Sequence, residues 1–313
     1  MSVVSSRVAW ASGSGGTVIV TADGGATWIE HTVPGARTQD LRSIAAFDAN
    51  TAVVAATAGD IWRTTNGGRS WSLVYKSADS AVFLDAIGFW DTPRGSAPRG
   101  LVVGDPIGGR FFILSSDDGG RSWRRAPSES RPLAQQGEGA FAASGSSLVM
   151  HGATHAWIGT GVRVARVFRT ADAGKTWTVA TAPLADATPS SGVFAVSFAD
   201  ALRGVAVGGD YDKATQREGT AAVTMDGGIT WVAATDLPSG FRSGVAIVPG
   251  TDGATVVAVG TNGTDISFDG GRSWTLADTV GYHAVRFAPD GAGWASGGRG
   301  RVARFDPDVI KRP

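Results

Sequence analysis

An octet of the form Ser/Thr-x-Asp-Gly-Gly-x-Ser/Thr-Trp recurs six times in this chain, and no other feature limits its fold so tightly. The copies are "TADGGATW" (21–28), "TTNGGRSW" (64–71), "SDDGGRSW" (116–123), "TADAGKTW" (170–177), "TMDGGITW" (224–231) and "SFDGGRSW" (267–274). Their tryptophans stand 43, 52, 54, 54 and 43 residues apart. A self-similar period of roughly forty to fifty residues is the signature of an array of four-stranded units.

Each unit reads alike. In the second, "RSIAAF", "TAVVAAT" and "DIWRTT" are three short β-like runs, the octet turns the chain, and "WSLVYK" is the fourth. Runs of this length bounded by Gly, Asp and Asn are hairpin-connected strands. No segment keeps a helical period over three turns. A seventh, shortened unit lies at the C-terminal end, where "GWASGGRGRVARF" (293–305) echoes "AWASGSGGTVIVT" (9–21) after an inner strand "HAVRFAP"; at the other end "SVVSS" supplies a short first strand. The expected fold is all-β: one seven-bladed β-propeller of four-stranded antiparallel blades, spanning approximately 1–35, 36–78, 79–130, 131–182, 183–236, 237–279 and 280–313. A ring closed by its two ends lying side by side leaves few sheet edges exposed.

The octet resembles the Asp-box, or BNR repeat, of sialidases and many other β-propellers. Asp23, Asn66, Asp118, Asp172, Asp226 and Asp269 are expected to accept hydrogen bonds from turn amides. The glycines permit backbone angles that other residues resist. Trp28, Trp71, Trp123, Trp177, Trp231 and Trp274 are expected to tuck against a neighbouring strand or blade. Calcium would need further oxygen ligands at regular offsets, and these are absent from the turns. The octets read as fold staples, and no metal or cofactor is expected.

Composition narrows the function. Hydrophobic residues make up 42% of 313 and charged residues 18%, with 45 glycines, which suits a cored globular protein rich in turns. With 28 basic and 28 acidic residues, nothing favours nucleic acid or an anionic membrane as partner. Lysines number four among the bases, Lys76, Lys175, Lys213 and Lys311. That bias fits a GC-rich genome, or a preference for anionic ligands, which the planar guanidinium grips well. Cysteine is absent, so disulfides, thiolate metal sites and Cys nucleophiles are excluded. No apolar run is long enough to span a bilayer. "MSVVSSRVAW" lacks the pattern of an export signal, which leaves a cytoplasmic protein or one whose leader has been removed.

The octets join third to fourth strands, so they share one face of the disc. Loops from second to third strand, and from blade to blade, belong to the other. The first residues of the channel-lining strands converge there: Arg42 ("RSIAAF"), Asp85 ("DAIGFW"), Glu138 ("EGAFAA"), Gly192 ("GVFAVS"), Arg242 ("RSGVAI") and His283 ("HAVRFA"). Loops on the same face bring Asp105 and Arg110, Arg163 and Arg166, Asp210, Tyr211, Arg217 and Glu218, and Arg299 and Arg301. These groups read either as solvated charge at a wet channel mouth or as a ligand site, since propeller axes are frequent binding sites.

Other patterns carry less. "GEGAFA" (137–142) fits a dinucleotide fingerprint, but a β-run follows where a helix is needed. His151 and His155 fall at a strand and its turn with no third ligand. There is no GxSxG elbow, and the sequon at Asn262 matters only in a secretory eukaryote.

Beyond the octets, the whole chain resembles the photosystem II stability/assembly factor-like propellers, in their non-photosynthetic bacterial branch. The stretches that carry this are "DLRSIAAFDANTA", "FLDAIGFWD", "GDPIGGRFFILSSDDGGRSW", "GEGAFAASG", "ARVFRTADAGKTW" and "FRSGVAIVPGT". The resemblance implies a non-catalytic, monomeric binding or assembly role, with a protein or a small anionic ligand on the face opposite the octets. It also implies an exported protein whose signal is missing from this chain. The enzyme alternative is a glycan-active site at the channel mouth. Asp85 and Glu138 would form a hydrolase acid/base pair, or His283 or Tyr282 would act as a lyase base with Arg42 and Arg242 neutralising a uronate. The sialidase Arg-Ile-Pro is missing and tyrosine is scarce (Tyr75, Tyr211, Tyr282), which argues against classical sialidase activity.

Overall fold

Every strand pairs only with its neighbours in sequence, and seven separate sheets result. In this computed structural model, which describes residues 1–93 and 95–306, six sheets have four antiparallel strands and the last has three. Their innermost strands are Ser2–Val3, Leu41–Ala46, Leu84–Phe89, Leu148–His151, Ser191–Phe198, Gly244–Ile247 and Ala284–Phe287. The chain is an all-β, seven-bladed propeller.

Second strands such as Ala52–Ala56 ("AVVAA") are buried along their whole length. A blade has another blade on each side, so both faces of its middle strands are covered. Continuous small apolar runs therefore replace the alternation of a one-faced sheet. Outermost strands such as Ile29–Thr32 and Thr275–Asp278 are mostly exposed.

The apolar core is divided into seven clusters, one per blade interface. Trp10, Leu41 and Trp62 seal the first blade to the second; Trp157, Phe198 and Trp231 seal the fourth to the fifth. The seventh cluster closes the ring through Met1, Ala9, Ala11, Ala284 and Trp294. Trp28 meets Trp294 edge-on with ring centroids 5.4 Å apart. Ser6 N donates to Asp290 Oδ2 at 2.6 Å across the same seam. Gly25, at φ +88°, is required twice over here: a Cβ would lie 2.1 Å from the Trp294 ring.

The octets share one hydrogen-bond pattern. The hydroxyl of the first residue donates to the third-residue carboxylate at 2.8 Å in five copies. It also accepts from the fifth-residue N–H, as at Gly25 and Gly120. The carboxylate then accepts from the N–H and hydroxyl of the seventh residue, as Asp118 does from Ser122 at 3.0 and 2.6 Å. In the second blade Asn66 reverses the last bond, Nδ2 donating to Ser70 Oγ. These bonds hold the carboxyls low. At Asp23 the Thr27 hydroxyl leads and the pKa is about 2. At Asp118, Asp172 and Asp226, partial burial pushes upward but the same bonds outweigh it, again to about 2. Trp123, Trp231 and Trp274 are buried, and Trp28, Trp71 and Trp177 half-buried.

One expectation about the blades fails. "EGAFAA" at Glu138 is not the inner strand of the fourth blade, which is Leu148–His151. Residues 126–147 instead cross the face opposite the octets, touching the rim through isolated bridges at Leu133 and Gly139. They then enter the channel, where Val196 N donates to Ser146 O.

Candidate functional site

The face opposite the octets carries two hollows. One, about 470 Å³, lies where the first, second and seventh blades meet. Arg42, His283, Arg299 and Arg301 line it, with Glu30 on the outer wall. Arg42 is the second residue of its inner strand and is half exposed, with Nη2 donating to Asp40 Oδ2 at 2.6 Å. Arg299 and Arg301 come from the second-to-third strand turn of the seventh blade, where Arg299 takes a left-handed φ of +61°. Arg301 donates to Gly281 O at 2.7 Å and lies over the Tyr282 ring at 5.8 Å. Burial, then Arg42, then Arg301 lower the pKa of His283, so the ring is neutral near pH 7. The cations genuinely converge.

The second hollow, about 500 Å³, separates the third and fourth blades and is lined by Asp105, Gln135, Gln136 and Glu138. Asp105 Oδ1 accepts from Ala140 N at 3.0 Å, and burial raises its pKa. Glu138 is buried and ion-paired to Arg166. It also accepts from Thr160 Oγ1 at 2.6 Å and from Gln135 N at 2.8 Å. Asp85 lies behind, fully buried, with neither carboxyl oxygen hydrogen-bonded to any group among the described residues. Burial first, and Asp105 second, drive its pKa well above the usual carboxylate range.

The expected constellation is thus split. Arg42 and His283 come together, joined by Arg299 and Arg301. Asp85 pairs electrostatically with Asp105 rather than with Glu138, and the Asp85–Glu138 acid/base arrangement does not form, because one carboxyl is sealed and the other is ion-paired. Arg242 does not reach the mouth either. It is fully buried against Asp265, with Nε donating to Oδ2 at 2.6 Å and the remaining N–H groups taken by Phe241 O, Asn262 Oδ1, Ser239 Oγ and Asp265. Arg110 donates to Arg131 O at 2.7 Å, and Arg163 donates to Ala187 O at 3.5 Å. Asp210 is buried among Ser190 and Thr188, and Arg217 is spent on Asp236 and Pro238 O.

Tyr211 is 49% exposed at the edge of an aromatic group on this face. Its ring meets Phe194 and Phe241 edge-on, and Phe194 stacks on Phe141 at 3.6 Å. Sequence reasoning missed this group because its members come from four separate segments. Among the described residues no group of three or more His, Asp or Glu is placed to hold a metal ion.

No family model matches the chain, and no curated protein does. Solved structures do. YCF48 from Cyanidioschyzon merolae is similar at TM-score 0.65 and 19% identity, over 98% of this chain and 94% of that one. YCF48 bound to D1 peptide is similar at 0.58 and 20%, over 97% and 91%. The GH74 enzyme of Niastella koreensis is similar at 0.52 and 14%, over 92% of this chain and 61% of that one. Identities this low establish the shared propeller fold alone.

Proposed function

We propose that this chain is a non-catalytic binding propeller. In this reading it is an exported, monomeric bacterial relative of the photosystem II stability/assembly factor-like proteins, built on six Asp-boxes. It holds an acidic segment of a partner protein on the face opposite the boxes. One observation carries the reading: Arg42, Arg299, Arg301 and a neutral His283 gather around one hollow whose wall, among the described residues, offers one carboxylate, Glu30, with Asp40 beside it paired to Arg42. Guanidiniums in an open hollow bind carboxylates through paired, charge-assisted hydrogen bonds. The similarity to YCF48, which has been solved with a D1 peptide bound, supports a peptide as the kind of partner. The glycan-active alternative has the fold-level likeness to GH74. Against it, Asp85 is sealed and Glu138 is neutralised by Arg166.

Binding of a fluorescein-labelled hexaglutamate peptide tests the reading. Anisotropy should report binding that weakens with salt, as expected for exposed charge. Arg299→Ala/Arg301→Ala should lose about 1.5–3 kcal/mol per contact removed. Equal binding by the double variant and the native chain would refute it, as would turnover of an acidic oligosaccharide abolished by Asp105→Asn.

A further inference from the structure

The channel itself opens on the octet side as a cavity of about 640 Å³, lined by the inner strands of several blades. It is not a through tunnel. The segment Ser144–Gly145–Ser146 sits inside the ring, and Ser144 lines both this cavity and the arginine hollow on the other face. Arg286, from the inner strand of the seventh blade, reaches across to that partition. Nη1 donates to Ser146 Oγ at 2.8 Å and to Val285 O at 3.1 Å, and Nη2 to Gly145 O at 3.0 Å.

Arg286 is the one basic side chain lining the cavity among the described residues. The sole acidic one is Asp91 at the outer rim, which accepts from Gly152 N. Among the described residues no carboxylate forms an ion pair with Arg286 or offsets its burial, and the enclosing blades lower its pKa to about 10. The Met1 amino group beside it is held at about 5 by burial and then by Arg286, so it is uncharged near pH 7 and supplies no counter-charge. An enclosed charge without a counter-charge is unfavourable. Water satisfies an N–H but does not neutralise the guanidinium. Nε and one N–H of Nη2 have no hydrogen-bond partner among the described residues, and the Nε/Nη2 side of a guanidinium is an edge that takes a carboxylate bidentately. Around this edge the walls carry the hydroxyls of Ser43 and Ser197, and farther out Ile87, Phe89, Trp90 and Met150.

We propose that the octet-side cavity is a binding site for a small monocarboxylate with an apolar body, its carboxylate on Arg286 and its body among the apolar side chains of the inner strands. This site is separate from the arginine hollow, on the opposite side of the Ser144–Ser146 partition. The sequence marks it: where sister strands read "AAF", "IGF" and "VSF", with small Ala46, Gly88 and Ser197, the seventh blade reads "VRF".

The test is calorimetric titration of the full chain with 3-phenylpropanoate, with 3-phenylpropanamide as the uncharged isostere. The carboxylate should bind and the amide should not. Arg286→Gln should abolish binding, and Arg286→Lys, which keeps the charge but loses the bidentate edge, should weaken it at least tenfold. Arg299→Ala/Arg301→Ala should bind as the native chain does, which separates this site from the peptide hollow. Absence of carboxylate binding to the native chain, equal binding of the amide, or full affinity in a folded Arg286→Lys variant would each overturn the proposal.

Discussion

Arg286 and Ser146, 140 residues apart in sequence, meet across the central channel at 2.8 Å. The bond ties the seventh blade to a segment that precedes the inner strand of the fourth, so it braces the ring across its diameter as well as partitioning the channel. Ser146→Ala should destabilise the protein by about 1–3 kcal/mol, the cost of leaving a buried donor unpaired. Urea denaturation measures this, and hydrogen exchange of residues 143–147 should quicken. A neutral result would remove the brace from the account.

Arg242 and Asp265 make a buried pair with every guanidinium N–H engaged. Asp265→Ala should cost about 3–5 kcal/mol, because it strands a buried cation. Arg242→Met/Asp265→Leu should recover most of that loss. If both variants unfold at the native urea midpoint, the pair has no structural role.

Acid should loosen the octets. Asp118, Asp172 and Asp226 have folded pKa values near 2, below the 3.8 of the free side chain. Their contribution is complete above about pH 4 and disappears as the pH falls through about 2. The melting temperature should therefore drop steeply between pH 4 and 2. Asp118→Asn, which installs the chemistry of Asn66, should flatten part of that drop, and a slope unchanged by the substitution would contradict the assignment.

Asp85 works in the opposite direction. Its folded pKa is raised, so folding incurs no ionisation cost below the unfolded value near pH 4. As the pH climbs from there toward the folded pKa, the unfolded chain gives up a proton that the folded chain keeps, and stability declines. The melting temperature of Asp85→Asn relative to the native chain should rise as the pH increases above about 4. A constant difference would mean that Asp85 is ionised in the folded protein.

The repeat made the ring legible, because the octets mark the same turn in six blades and the apolar runs between them fit buried middle strands. The mouth was legible only in part. Strand starts located Arg42 and His283, but a β-like "EGAFAA" hid a segment whose Glu138 is anchored by Thr160 and Arg166. Period alone does not separate a channel strand from a stretch pinned across the rim. Arg242 looked free because its partner, Asp265, lies in "GTDIS", a third strand with no obvious link to the mouth. A charge inside an otherwise apolar strand was the available signal, and Arg286 in "VRF" is a second case of it.

On the proposed reading, partner binding belongs to the arginine hollow opposite the octets. Hydrogen–deuterium exchange of the full chain with and without hexaglutamate tests it most directly, because it reports position as well as affinity. Protection should be confined to residues 13–16, 40–43 and 281–301. Protection of the octet turns, with those segments unchanged, would contradict it.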